Sequence, residues 1–131
     1  MKTEGKALSI VLWILQIFGA AMFLMAGVPK LTGSEQAVQA FQMIGLGQWF
    51  RYLTGVLEVV GAVALLIPPT AVLGALLLAV VMVGAVIVHL FVIGGSPAMA
   101  VVLLLVMGFI AWGRRGGLSL LYSDRNKQVT V

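Results

Sequence analysis

The stretch VVGAVALLIPPTAVLGALLLAVVMVGAVIVHLFVIGGSPAMAVVLLLVMGFIAWG, from Val59 to Gly113, holds 55 residues without one Asp, Glu, Lys or Arg. Its only ionisable side chain is His89. As continuous helix it would measure roughly 80 Å, against a bilayer hydrocarbon core of about 30 Å. It therefore has to cross a membrane at least twice. Strands of a membrane barrel would alternate apolar and polar residues, and this run does not alternate. Pro68-Pro69 and Gly94-Gly95 break it at two points.

Upstream, Ala7 to Pro29 is another uncharged run, of 23 residues. It is longer than the roughly 7–15 apolar residues of a secretory signal, and more spans follow, so it reads as a retained helix. Composition agrees. The 131 residues are 62% hydrophobic and 9% charged, with a mean hydropathy of +1.16. A soluble domain carries about 45–50% apolar and about 25% charged residues, and a soluble chain this short could not hide the excess.

The expected fold is all-α: one polytopic membrane domain over residues 1–131, built as a four-helix bundle. Its spans are expected at about 8–28, 49–67, 71–93 and 98–112. Pro29 and Lys30 close the first span, Pro68-Pro69 the second and Gly94-Gly95 the third. Pro97 suits the first turn of the fourth. Between the first two spans, Ser34 reads as an N-cap with Glu35 in the first turn. Val38, Phe41 and Ile44 follow at helical spacing, and Gly45 reads as the stop. Residues 34–44 thus predict a short amphipathic helix at the membrane surface.

Cysteine is absent. That removes disulfides, thiolate zinc sites, iron–sulfur clusters and c-type haem attachment. A single histidine removes a two-histidine haem site within one chain, and no metal site is expected. Any redox role needs a cofactor that the chain does not hold covalently. The net charge of +4 and pI near 10.0 come from basic residues flanking the apolar spans. This reads as membrane orientation rather than nucleic-acid binding. Lys2, Lys6, Arg114, Arg115, Arg125 and Lys127 lie on the side of the termini, against Lys30 and Arg51 on the other, which puts both termini in the cytoplasm.

Ionisable groups at membrane depth are costly and are functional candidates. Glu58 is expected some 13 Å into the second span and His89 about 6 Å from the end of the third. The topology brings Lys30, Arg51, Glu58 and His89 to the outer half of one bundle. Arg51 and Glu58, seven apart with Thr54 between, share a helix face. A pocket of these four residues, polar at its mouth and apolar below, suits an amphipathic ligand such as a quinone. The plainer reading makes Glu58 an ion-pair partner of Arg51 or Lys30, and His89 a hydrogen-bonded helix residue. Lys30 and Arg51 would then only reach for headgroups. Small residues carry helix association in lipid. Ala71, Ala75 and Ala79, Gly55, Gly61 and Ala62, and Gly19, Ala26 and Gly27 fit that role.

Gly27-Val28-Pro29-Lys30, Phe41 with Ile44-Gly45, Gly55…Glu58…Gly61 and Met82…Ala85…His89, in this order over four spans, resemble the DoxX family across roughly residues 10–112. The resemblance implies a four-helix protein of the bacterial inner membrane. Its relatives include the DoxD-type subunit of thiosulfate:quinone oxidoreductase and membrane partners of other oxidoreductases. The matched positions include Lys30, Glu58 and His89. The family has no single activity, so the likeness speaks to fold before reaction.

The function expected is an accessory or quinone-interacting subunit of a membrane oxidoreductase system, with Glu58 and His89 relaying protons. Its partners are then the bilayer, an oxidoreductase and, in a homo-oligomer, a second copy. Two other readings stand beside it. One is a scaffold or assembly subunit without ligand. The other is a small proton-coupled transporter; small multidrug transporters are similar in size, but carry their essential Glu in the first helix, where this chain has Gln16. A disulfide-generating quinone reductase would need cysteines. Whether the chain catalyses a reaction does not follow from these residues.

Overall fold

The computed structural model describes residues 2–115. They form α1 (Lys2–Thr32), α2 (Glu35–Ile44), α3 (Gln48–Leu66), α4 (Ala71–Val88) and α5 (Ala98–Gly113). A 3-10 turn at Pro68–Thr70 joins α3 to α4, and a π-helical turn at His89–Ile93 extends α4. No strand occurs among the described residues, so the fold is all-α. Arg125 and Lys127, counted in the charge balance above, lie outside the described residues.

Three stretches are long and apolar enough to cross a membrane: Gly5–Thr32, Gln48–Leu66 and Pro68–Ile93. Ala98–Gly113 is apolar but shorter, at 16 residues, or roughly 24 Å of helix. Helix α1 packs on α3, α3 on α4 and α4 on α5, and a lighter contact returns from α5 to α1. Helix α2 rests on α3, on the π-helical turn and on the end of α1.

Inside, Leu12, Phe23, Leu65, Leu78, Met107 and Ile110 are almost fully buried. Outside, Ile10, Met25, Val80 and Leu105 are more than 60% exposed. An outer surface as oily as the core belongs in lipid. The backbones approach closely where both helices carry glycine. A Cβ on Gly27 would stand 3.2 Å from the Gly55 carbonyl oxygen, and one on Gly74 only 2.8 Å from that of Gly61.

The helix ends show how the punctuation acts. The Ser34 side chain accepts from the Ala37 N–H at 3.3 Å, and Gly45 stops α2 with φ +82° and its N–H on the Phe41 carbonyl. Gly94 and Gly95, at φ +81° and +76°, end the π-helical turn. Three expectations need correction. Helix α1 runs past Pro29 to Thr32, because a proline removes a donor needed one turn earlier but leaves its own carbonyl free. That oxygen accepts from both Gly33 and Ser34, each at 3.0 Å, and the positive φ of Gly33 makes the stop. The third span does not stay α-helical to its end: the Gly94 N–H reaches back five residues to His89. Pro97 caps α5 instead of sitting in its first turn.

The α3–α4 corner has a built-in difficulty. In a continuous helix the carbonyls of Ala64 and Leu65 would accept from residues 68 and 69, which are prolines and have no N–H. Buried carbonyls need partners. The Thr70 hydroxyl donates to Ala64 O at 2.9 Å, and Gln16 Nε2 of α1 donates to Leu65 O at 2.7 Å. The Ile67 N–H also reaches Ala64 O at 3.2 Å, so one backbone donor and two side chains, one of them from another helix, satisfy the corner.

Candidate ligand site

Helices α1 and α3 are antiparallel: Gln16 meets Leu65, while Lys30 lies by Glu58 and Arg51. Helical side chains lean toward the N-terminus of their own helix. Lys30, near the C-terminus of α1, therefore leans down into the span, and Glu58 leans up toward it. Lys30 Nζ stands 2.7 Å from Glu58 Oε1, a direct ion pair. The same ammonium donates to Ala26 O at 3.2 Å. The Glu58 side chain is 2% exposed, that of Lys30 21%. Lys30 is the only cation paired with Glu58 among the described residues.

The same leaning carries Arg51 the other way, toward the start of α3. Its guanidinium is buried, donates to the backbone carbonyl of Lys30 and, through Nε, to Gln48 Oε1 at 2.7 Å. Gln48 in turn donates to Val38 O of α2 at 3.2 Å. Arg51 also stacks 4.2 Å from the Tyr52 ring centroid. A cation on the last carbonyls of a helix is favourably placed against its dipole. Arg51 thus ties α1, α3 and α2 together. It neither pairs with Glu58 nor lines the cavity beside it, so the expected four-residue pocket holds three of its members.

That cavity measures about 660 Å³, within the ordinary range of small-molecule sites. Lys30, Ser34, Gln36, Thr54, Glu58 and His89 give it polar corners. Its walls are otherwise apolar, with Phe41 and Ile44 of α2, Phe50 and Leu57 of α3, and Val81 and Val88 of α4 among them. Phe41, 5.8 Å from the Phe50 ring, holds α2 over one side. His89 opens the π-helical turn, and its Nδ1 lies 2.8 Å from Ala85 O. With Nδ1 donating there, a neutral imidazole keeps Nε2 as an acceptor. His89 lines the same cavity as Glu58 without forming an ion pair with it. The site can therefore offer a ligand one carboxylate with spare lone pairs, one imidazole and one ammonium, in apolar surroundings.

Sequence reasoning missed a second polar cluster at the far end of the helices. Gln16 is fully buried, and its Oε1 accepts from Arg114 Nε at 2.7 Å. Arg114 also reaches the Ser9 carbonyl at 3.4 Å and stands 5.5 Å from the centroid of the Trp13 ring. Burial lowers its pKa from the ordinary arginine value, yet a guanidinium keeps its charge. The available signal was Gln16 itself, an amide in an uncharged span, which has to find partners. These polar contacts run within the cluster among the described residues. Among the described residues no group of three or more acidic, histidine or cysteine side chains gathers as a metal site would require.

Compared with known proteins, residues 14–113 match the family model of the DoxX-like family. The chain matches no curated protein and no solved structure.

Proposed function

The chain belongs to the DoxX-like family and is a multi-pass membrane protein, and on that premise we propose that it binds a quinone as an accessory subunit of a membrane oxidoreductase system. In this reading α1, α3, α4 with its π-helical turn, and α5 are four spans of a bundle in the bacterial inner membrane. Helix α2 lies at the outer surface, and both termini lie in the cytoplasm. The observation that carries the reading is a buried carboxylate, spare in hydrogen-bonding capacity, inside a 660 Å³ apolar cavity that also holds an ammonium and an imidazole.

A quinone ring needs polar groups at its carbonyl oxygens and apolar walls around its body. Lys30 offers the donor, and Phe41, Phe50 and Val88 offer the walls. Reduction to the quinol takes two electrons and two protons. In this reading the electrons come from the partner oxidoreductase. Glu58 and His89 are the groups suited to pass the protons. The test is equilibrium binding of decylubiquinone to the full chain in nanodiscs. Measurable affinity, weakened about tenfold by Glu58→Gln, supports the reading. Binding by neither form removes it.

One observation favours a scaffold without ligand: Glu58 already has a cation within ion-pair distance. On that reading Glu58→Gln and His89→Ala change stability and partner recovery together, and quinone affinity is nil from the start.

A further inference from the structure

The cavity has an opening in its side wall. Met25 of α1 and Val80 and Gly84 of α4 line it, and all three are exposed, Met25 by 72% and Val80 by 70%. None sits at a rim. Met25 lies seven residues before the end of α1 and Val80 is the tenth residue of α4, each roughly 10–13 Å along the helix from its nearer end. Both helices lean on α3 but share no substantial interface. Helix α5 does not close the gap. It meets α1 near the opposite end, where Met107 lies by Gly19 and Leu12 by Gly113, and it contributes no residue to the cavity. A Cβ on Gly84 would meet nothing within 4 Å.

Exposed apolar lining at this depth faces acyl chains and gives an apolar tail a way out, away from the polar end of the cavity at Ser34 and Gln36. We propose that the cavity exchanges its ligand sideways with the hydrocarbon layer, between Met25 and the Val80–Gly84 face of α4. It is a site for a single-tailed amphiphile. The polar head sits among Lys30, Glu58 and His89, and the apolar chain trails past Gly84 into the bilayer. This rests on the ligand-binding reading above and adds the route and the tail.

Two probes separate the parts: decylubiquinone, which has a tail, and duroquinone, which has a comparable ring and none. Gly84→Leu fills the opening without touching the head-group residues. It is expected to weaken decylubiquinone binding about tenfold and to leave duroquinone within about twofold of wild type. Val80→Trp, at a position already exposed, should act in the same direction and serves if the leucine variant does not fold. Unchanged affinity for both probes in both variants overturns the side opening while the quinone reading stands. An equal loss for both probes overturns it too, since the substitution then acts on the head-group site. If wild type binds neither probe, the quinone reading falls and the opening falls with it.

Discussion

Gln16 donates to the one backbone carbonyl, Leu65 O, that Pro69 strips of its helical partner, and takes Arg114 on its other amide atom. A single side chain thereby links α1, the α3–α4 corner and the end of α5. Gln16→Leu roughly keeps the volume and removes both bonds, leaving a buried carbonyl without its donor and the guanidinium with only its long contacts to Ser9. The expected loss is roughly 1–3 kcal/mol, read as a lower unfolding midpoint in detergent. A Gln16→Leu, Arg114→Leu double variant should lose less than the sum of the singles. Strict additivity would mean that the two side chains do not act as one unit.

The Lys30–Glu58 pair makes a prediction with a sign. Removing one partner strands a buried charge, whereas removing both does not. Lys30→Met should cost about 3 kcal/mol, moderated by the partial exposure of the lysine. Lys30→Met with Glu58→Gln should recover much of that. Thermal unfolding of wild type, Lys30→Met, Glu58→Gln and the double variant in one detergent decides it. A double variant no more stable than Lys30→Met alone would show that the ammonium does not stabilise the carboxylate.

Much of the helical framework was legible because prolines, glycines and one cap do their work locally. Ser34, Gly45, Pro68-Pro69 and Gly94-Gly95 each act through a missing donor, a short-range hydrogen bond or a positive φ, and such signals survive in sequence. The π-helical turn was not legible: a one-residue shift of hydrogen bonding leaves hydropathy unchanged. Arg51 shares a helix face with Glu58, yet of the two cations within sequence reach of that carboxylate it is Lys30 that pairs. Spacing fixes the azimuth and says nothing of the lean of the side chain, which turns Arg51 away from Glu58. Arg114 read as a flanking charge because its partner Gln16 lies 98 residues away. Lys30, Glu58 and His89 line one cavity because antiparallel α1 and α3 and the π-helical turn bring these positions to the same end of the helices.

Arg51 holds the end of α1 to the start of α3 and, through Gln48, to α2. Arg51→Ala should therefore loosen residues 30–48 more than the spans. Hydrogen exchange is expected to rise in α2 and at Leu31–Ser34, with a global loss of about 1–2 kcal/mol. Arg51→Lys should not restore the wild-type pattern, because a single ammonium cannot reach both acceptors in the guanidinium's fork geometry. Exchange unchanged in α2 would mean that Phe41 against Phe50 suffices to seat it.

Two glycines of α4 should respond to alanine in opposite directions. At Gly74 an added Cβ meets backbone of α3, the Gly61 carbonyl at 2.8 Å and the Leu65 nitrogen at 2.9 Å. Backbone inside two packed helices cannot step aside as a side-chain tip can, so Gly74→Ala has to push α3 and α4 apart. A loss of roughly 1–3 kcal/mol is expected. At Gly84 the same methyl group enters open space. There the gain in helix propensity is unopposed, and Gly84→Ala should stabilise by about 0.5–1 kcal/mol. Gly61 falls between, since its added methyl would meet the branched end of Leu78 at 2.6 Å, which can rotate away in part. Unfolding midpoints should therefore rank Gly84→Ala above wild type, Gly61→Ala below it and Gly74→Ala lowest. Gly74→Ala as stable as Gly84→Ala would mean that α3 and α4 are not in backbone contact at this crossing.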